Sequence, residues 1–129
     1  MRLLLDTSVL IDVLRGRQGR RQQLAELARA GHTLTTTALN VAEVYSWMRP
    51  HEKKETDAFL DALECYQLTV VDAKLAGSLK RYWSAKGRTL ALADTIIAAI
   101  AIERECALLT DNRKDFPMPE VQLFPLRTS

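Results

Sequence analysis

Apolar positions along this chain change their spacing in a regular way, and the change predicts strands and helices in turn. Residues 2–5, Arg-Leu-Leu-Leu, form an apolar run without polar alternation, the pattern of a strand covered on both faces in a parallel sheet. Val9, Leu10, Val13 and Leu14 then recur at helical spacing and stop at Gly16. A second helix is predicted over residues 20–30, with Leu24, Leu27 and Ala28 on one face and Gly31 at its end. The β-branched stretch at 33–36 predicts a second strand, and a helix over 38–48 follows it and ends before Pro50. Residues 52–63 are charged on one side and apolar on the other, with Phe59, Leu60 and Leu63 inward, as in a surface helix. A third strand is predicted at 67–71 and a helix at 73–85, closing near Gly87. Residues 90–106 are apolar almost all round, which predicts a buried helix. A fourth strand at 107–110, a turn or short helix through Phe116, and an edge strand at 121–124 between prolines complete the chain.

Strands alternating with helices through short connections predict an α/β sandwich on a parallel sheet. Ligands bind such sheets beyond the carboxyl ends of their strands. A chain of 129 residues, 47% of them hydrophobic, can bury a core and is expected to be one domain over 1–129. Repeats, low-complexity tracts and linkers are absent.

Charge alters the picture little. Eighteen Lys and Arg against sixteen Asp and Glu leave a net +2, too balanced to imply a nucleic-acid partner by itself. Cys65 and Cys106 are far apart with no Cys-x-x-Cys pair, which argues against a disulfide framework or zinc site and predicts buried, reduced thiols. Asp6 interrupts the only candidate secretory leader, and no apolar run could span a bilayer, so a cytoplasmic location is expected.

The chemistry lies in the carboxylates. Asp6 ends the first strand and Asp111 the fourth, on the same sheet edge, while Asp94 sits near the start of the buried helix. Asp6 could cap the next helix, but Thr7 and Ser8 beside it can do so too, leaving Asp6 free to face a site. Glu43 lies among apolar residues of the third helix, where an exposed Glu would be the ordinary reading. Asp111, with Asn112 and Asp115, could be a turn, and which of the three faces the site stays open. Asp72 also ends an apolar run, yet capping explains it, and Asp12 reads as a solvated residue.

Gathered carboxylates repel by about 4 kcal/mol per pair at 4 Å and an effective dielectric near 20, so such a cluster calls for a cation. Oxygen ligands alone suit Mg²⁺ or Mn²⁺ rather than zinc. His32 and His51 have no spacing to another ligand, and neither a Ser-His-Asp or Cys-His arrangement nor a phosphate-binding Gly loop is present. Metal-assisted attack of water on a phosphodiester is the chemistry that remains.

Four stretches together resemble the signature regions of PIN-domain ribonucleases, and within them the VapC toxins of toxin–antitoxin pairs. These are Asp6-Thr7-Ser8-Val9-Leu10-Ile11-Asp12, Glu43 in the third helix, Leu92-Ala93-Asp94-Thr95-Ile96-Ile97-Ala98-Ala99, and Leu108-Leu109-Thr110-Asp111-Asn112-Arg113-Lys114-Asp115-Phe116. The resemblance implies a Rossmann-like three-layer α/β/α sandwich and Mg²⁺- or Mn²⁺-dependent endoribonuclease activity. It also implies a homodimer and a small antitoxin that blocks the acidic site. It places metal-binding and catalytic acids at Asp6, Glu43 and Asp94, with Asp111 as the candidate fourth, and orienting roles at Ser8 and Thr110.

Arg15, Arg17, Arg20 and Arg21, with Lys80, Arg81, Lys86, Arg88, Arg113 and Lys114, are the basic residues that could position an RNA backbone. Two other readings compete. A haloacid-dehalogenase-like phosphatase would need a second acid two residues after Asp6, where this chain has Ser8. A non-catalytic PIN-like RNA-binding domain would have no need of the full acid set.

Overall fold

The computed structural model describes residues 1–127. Five parallel strands form one sheet in the order β3-β2-β1-β4-β5, with β1 (Arg2–Leu5) at its centre between β2 (Thr33–Thr37) and β4 (Ala107–Leu109). The Leu run of β1 explains itself there: Leu3, Leu4 and Leu5 are all fully buried. Side chains alternate across a strand, so Leu4 faces one helical layer while Leu3 and Leu5 face the other. On the Leu4 side lie α5 (Val70–Ala85) and α6 (Leu92–Glu103). On the opposite side lie α1 (Thr7–Leu14), α2 (Arg20–Arg29), α3 (Ala38–Trp47) and α4 (Lys53–Asp61). The expected three-layer α/β/α sandwich with a Rossmann-like parallel sheet is what forms.

The third strand is displaced from its expected place. β3 is Glu64–Tyr66, and the stretch expected as strand, 67–71, instead leads into α5. Local capping decides this. Thr69 Oγ1 accepts from the Asp72 amide and the Asp72 carboxylate accepts from the Thr69 amide, a reciprocal pair that starts a helix at Val70 despite two β-branched residues. Val70 and Val71 are accordingly exposed rather than built into a strand. Asp72 therefore caps from inside the first turn, and it also receives both guanidinium nitrogens of Arg104 at 2.8 and 2.9 Å. Burial would raise its pKa, but Arg104 and the Thr69 bonds outweigh that and hold it below the usual carboxylate range.

This ion pair joins the beginning of α5 to the residue that closes α6, so the two helices run antiparallel. The end of α5 consequently lies beside the beginning of α6. β5 is shorter than expected, Gln122–Leu123, and pairs with β4 at the sheet edge. Cys106 is buried as anticipated, whereas Cys65 is exposed, and both are free thiols. Among the described residues, no helix is long and apolar enough to cross a membrane.

Candidate active site

Asp6 stands where β1 becomes α1. Its amide bonds to the Leu109 carbonyl, and its own carbonyl accepts from the Val9 and Leu10 amides, so the backbone on both sides is fixed. The side chain, on a residue only 5% exposed, uses one oxygen for the Thr7 amide at 2.9 Å and Asn40 Nδ2 at 3.3 Å. The other oxygen accepts from Thr110 Oγ1 at 2.7 Å. Capping and site-facing roles are thus combined in one residue. Burial raises the Asp6 pKa, with a smaller push from Glu43, against the lowering effect of the Thr110, Thr7 and Asn40 hydrogen bonds.

Behind Asp6 runs a chain of hydrogen bonds that the sequence reading missed. Thr37 Oγ1 donates to Asn40 Oδ1 at 2.6 Å and accepts from the Asn40 amide at 3.1 Å. Asn40 Nδ2 donates to Thr7 Oγ1 at 2.9 Å, and Thr7 Oγ1 donates to Glu43 Oε1 at 2.6 Å. Asn40 is fully buried, and its partners fix which end of its amide is oxygen. Asn40 and Glu43 lie three residues apart on α3 and so share a helix face, which is the signal that could have identified Asn40.

Asp94 lies in the first turn of α6. A carboxylate there gains from the helix N-terminus, yet burial and then the charges of Asp115, Asp6 and Glu43 raise its pKa to about 6. The charges of these four acids therefore act on one another, and the hydrogen bonds through Asn40 and Thr7 tie Asp6 to Glu43 directly. Among the described residues, no Lys or Arg pairs with any of the four.

Asp111 is not brought to this group. Arg20, fully buried, donates to Asp111 Oδ1 at 2.6 Å, and its Nε lies 4.0 Å from Asp12 without closing a hydrogen bond. The same guanidinium donates to Gln23 Oε1 at 3.0 Å and to the carbonyl of Arg127. Arg20 is thus unavailable for the RNA-facing role expected of it, and Asp12, raised by burial and by Asp111, is no simple solvated acid. Asp115, at the end of the 3-10 turn Arg113–Asp115, is the acid of this loop whose charge bears on Asp94. Thr110 has the orienting contact expected of it, while Ser8 only accepts from the Asp111 amide at 3.4 Å.

Among the described residues, no three acids stand close enough to form a ready-made cage for an ion. Mg²⁺ keeps several waters and takes only one or two carboxylates directly, so its binding does not require such a cage. The all-oxygen donor set and the missing counter-charge point the same way. A pH dependence follows. The folded-state pKa of Asp94, about 6, lies above its ordinary 3.8, so this group's contribution is complete below about pH 4 and is lost as pH rises toward 6. Thermal unfolding should show Mn²⁺ raising Tm more at about pH 7.5 than at about pH 5, because only the ionised cluster binds it. An equal shift at both values would contradict the shared-charge description.

The sequence profile of the family described as PIN domain matches residues 3–118. Ribonuclease VapC19 of Mycobacterium tuberculosis is 33% identical over 120 residues, covering 92% of this chain and 96% of that protein. Ribonuclease VapC10 of the same organism is 34% identical over 123 residues, covering 95% and 91%. Among solved structures, VapBC2 from Rickettsia felis bound to a promoter DNA fragment superposes with a TM-score of 0.83 at 24% identity, covering 96% of this chain and 98% of that one. A toxin–antitoxin complex from Klebsiella pneumoniae gives 0.79 at 26% identity, covering 97% and 98%. A profile match over most of the chain, agreeing with relatives that align almost end to end, shows that this protein belongs to the PIN-domain family.

Proposed function

We propose that this chain is a divalent-metal-dependent endoribonuclease, a single domain over residues 1–129 acting in the cytoplasm as the toxin of a toxin–antitoxin pair. The observation that carries this is the hydrogen-bonded linkage of buried Asp6 to Glu43 through Asn40 and Thr7, in a group of acids with Asp94 and Asp115 that no Lys or Arg pairs with among the described residues. Similarity to proteins named ribonuclease supports RNA as the substrate. Similarity to toxin–antitoxin complexes supports a small antitoxin that covers the acids. A homodimer completes the proposal.

Asp6, Glu43 and Asp94 would hold Mg²⁺ or Mn²⁺, with Asp115 taking the fourth place in preference to Asp111. Bound there, the ion would lower the pKa of a water and neutralise charge on the phosphodiester. The chain's own residues supply order. Thr110 and Asn40 fix the two Asp6 oxygens, and Thr7 fixes one Glu43 oxygen, so two carboxylates are held in place before RNA arrives. Hydrolysis adds water across one P–O bond and leaves a hydroxyl and a phosphomonoester.

The test is RNA cleavage by purified protein with Mg²⁺, with Mn²⁺ and with EDTA, beside growth of cells expressing the chain alone or as Asp6→Asn. Cleavage that EDTA stops, and growth arrest that Asp6→Asn relieves, are the expected results. Intact RNA under both ions would overturn the proposal.

A further inference from the structure

At the end of α5 a groove of about 770 Å³ is lined by Ser78, Arg81, Tyr82, Trp83, Lys86 and Glu120, apart from the acids already described. Trp83 packs partly against the core, whereas Tyr82 is 53% exposed. The two rings meet edge to face at 5.7 Å, and Lys86 Nζ lies 4.7 Å from the Tyr82 ring centre and 5.9 Å from that of Trp83. An exposed ring framed by Arg81 and Lys86, with Glu120 as the one opposing charge among these lining residues, combines a π face with a positive rim. Base stacking and phosphate binding need that combination.

Placement ties the groove to the acids. Because α5 and α6 are antiparallel, the end of α5 lies beside the start of α6, which carries Asp94. The loop between them is held at both ends of this edge: Lys80 donates to the Leu90 carbonyl, and Arg88 to the carbonyl of Lys114, the neighbour of Asp115.

We propose that this groove takes an unpaired nucleotide of the RNA substrate, its base on Tyr82 and its phosphate held by Lys86 and Arg81. This rests on the ribonuclease reading above. Lys86 now occupies one face of the Tyr82 ring, and at an exposed site that contact is weak enough to yield when a phosphate arrives. A duplex keeps its bases stacked inside, so the groove selects single-stranded or looped RNA.

The experiment compares the parent with Tyr82→Ala, Tyr82→Phe and, as a control at the far end of α5, Val70→Ala. Affinity for a labelled single-stranded oligoribonucleotide of mixed sequence is read by fluorescence anisotropy with Ca²⁺ in place of Mg²⁺, and cleavage kinetics are read with Mg²⁺. Tyr82→Ala should weaken binding and raise KM about tenfold while moving kcat far less. Tyr82→Phe should restore affinity, and Val70→Ala should match the parent. Equal affinity of Tyr82→Ala and parent, with the parent still cutting RNA, would overturn the groove and leave the ribonuclease reading intact. If the parent cuts nothing but Tyr82→Ala still loses affinity, the groove stands and that reading falls. A change of oligomeric state in Tyr82→Ala on gel filtration would assign the groove to contact between copies and overturn the proposal.

Discussion

Replacing Asp94 with Asn should reduce RNA cleavage about a thousandfold, because a bound ion supplies several kcal/mol of transition-state stabilisation and each 1.36 kcal/mol is tenfold in rate. The same change should act on stability in the opposite direction. Without metal, Asp94 is partly desolvated and opposed by the charges of Asp115, Asp6 and Glu43, so removing its charge relieves a repulsion. Metal-free Tm should therefore rise, and the increase that Mn²⁺ produces in the parent should largely disappear. Cleavage assays beside thermal unfolding with and without Mn²⁺ check both halves. A variant that cuts as fast as the parent would remove Asp94 from the mechanism. A variant that is less stable without metal would show instead that Asp94 serves the fold.

Arg20→Met should cost about 2 kcal/mol of stability, the scale of hydrogen bonds to a charged group, because Arg20 is buried while Asp111 is exposed enough for water to solvate it once the partner is gone. Arg20 is fully buried and is the group that meets Asp111 at 2.6 Å, approaches Asp12, and reaches the carbonyl of Arg127. Without it, Asp111 and Asp12 repel one another with only Arg17 left as a positive charge acting on Asp12. Met fills a similar volume, so the loss reports charge and hydrogen bonding more than a cavity. Adding Asp111→Asn should return part of the loss, and that recovery separates electrostatics from packing. Urea unfolding of the parent, the single variant and the double variant provides the numbers. A single variant within about 1 kcal/mol of the parent would mean that the cluster contributes little.

Much of this arrangement was legible in the residues. The unalternated Leu run of β1 announced a strand buried on both faces, and the apolar circumference of residues 90–106 announced the buried helix that carries Asp94. Both signals are local in period and global in meaning, which is why they were readable. The displaced β3 shows where local reading fails. Val70 and Val71 favour a strand, but the Thr69–Asp72 cap satisfies helix amides that would otherwise be orphaned, and Arg104 from α6 secures it. The cap pattern was present in the sequence, while its reinforcement came from 32 residues away.

The acids divide along the same line. The strand-end rule pairs Asp6 with Asp111, the apolar circumference of its helix singles out Asp94, and Glu43 joins them through the family resemblance. In sequence Asp111 is the candidate fourth acid, with Asn112 and Asp115 of the same polar loop open beside it. Only the tertiary structure distinguishes them, because Arg20 arrives from α2 on the far helical layer and pairs with Asp111, while the charge of Asp115 acts on Asp94. Asn40 became visible for the same reason: a buried amide is recognised by its partners, and those come from β2, α1 and the end of β1. Periodicity and covalent order are properties of the chain, so the sequence by itself determined the layers and the site edge. Which charge meets which depends on distances between segments remote in sequence, and those exist only once the chain has packed.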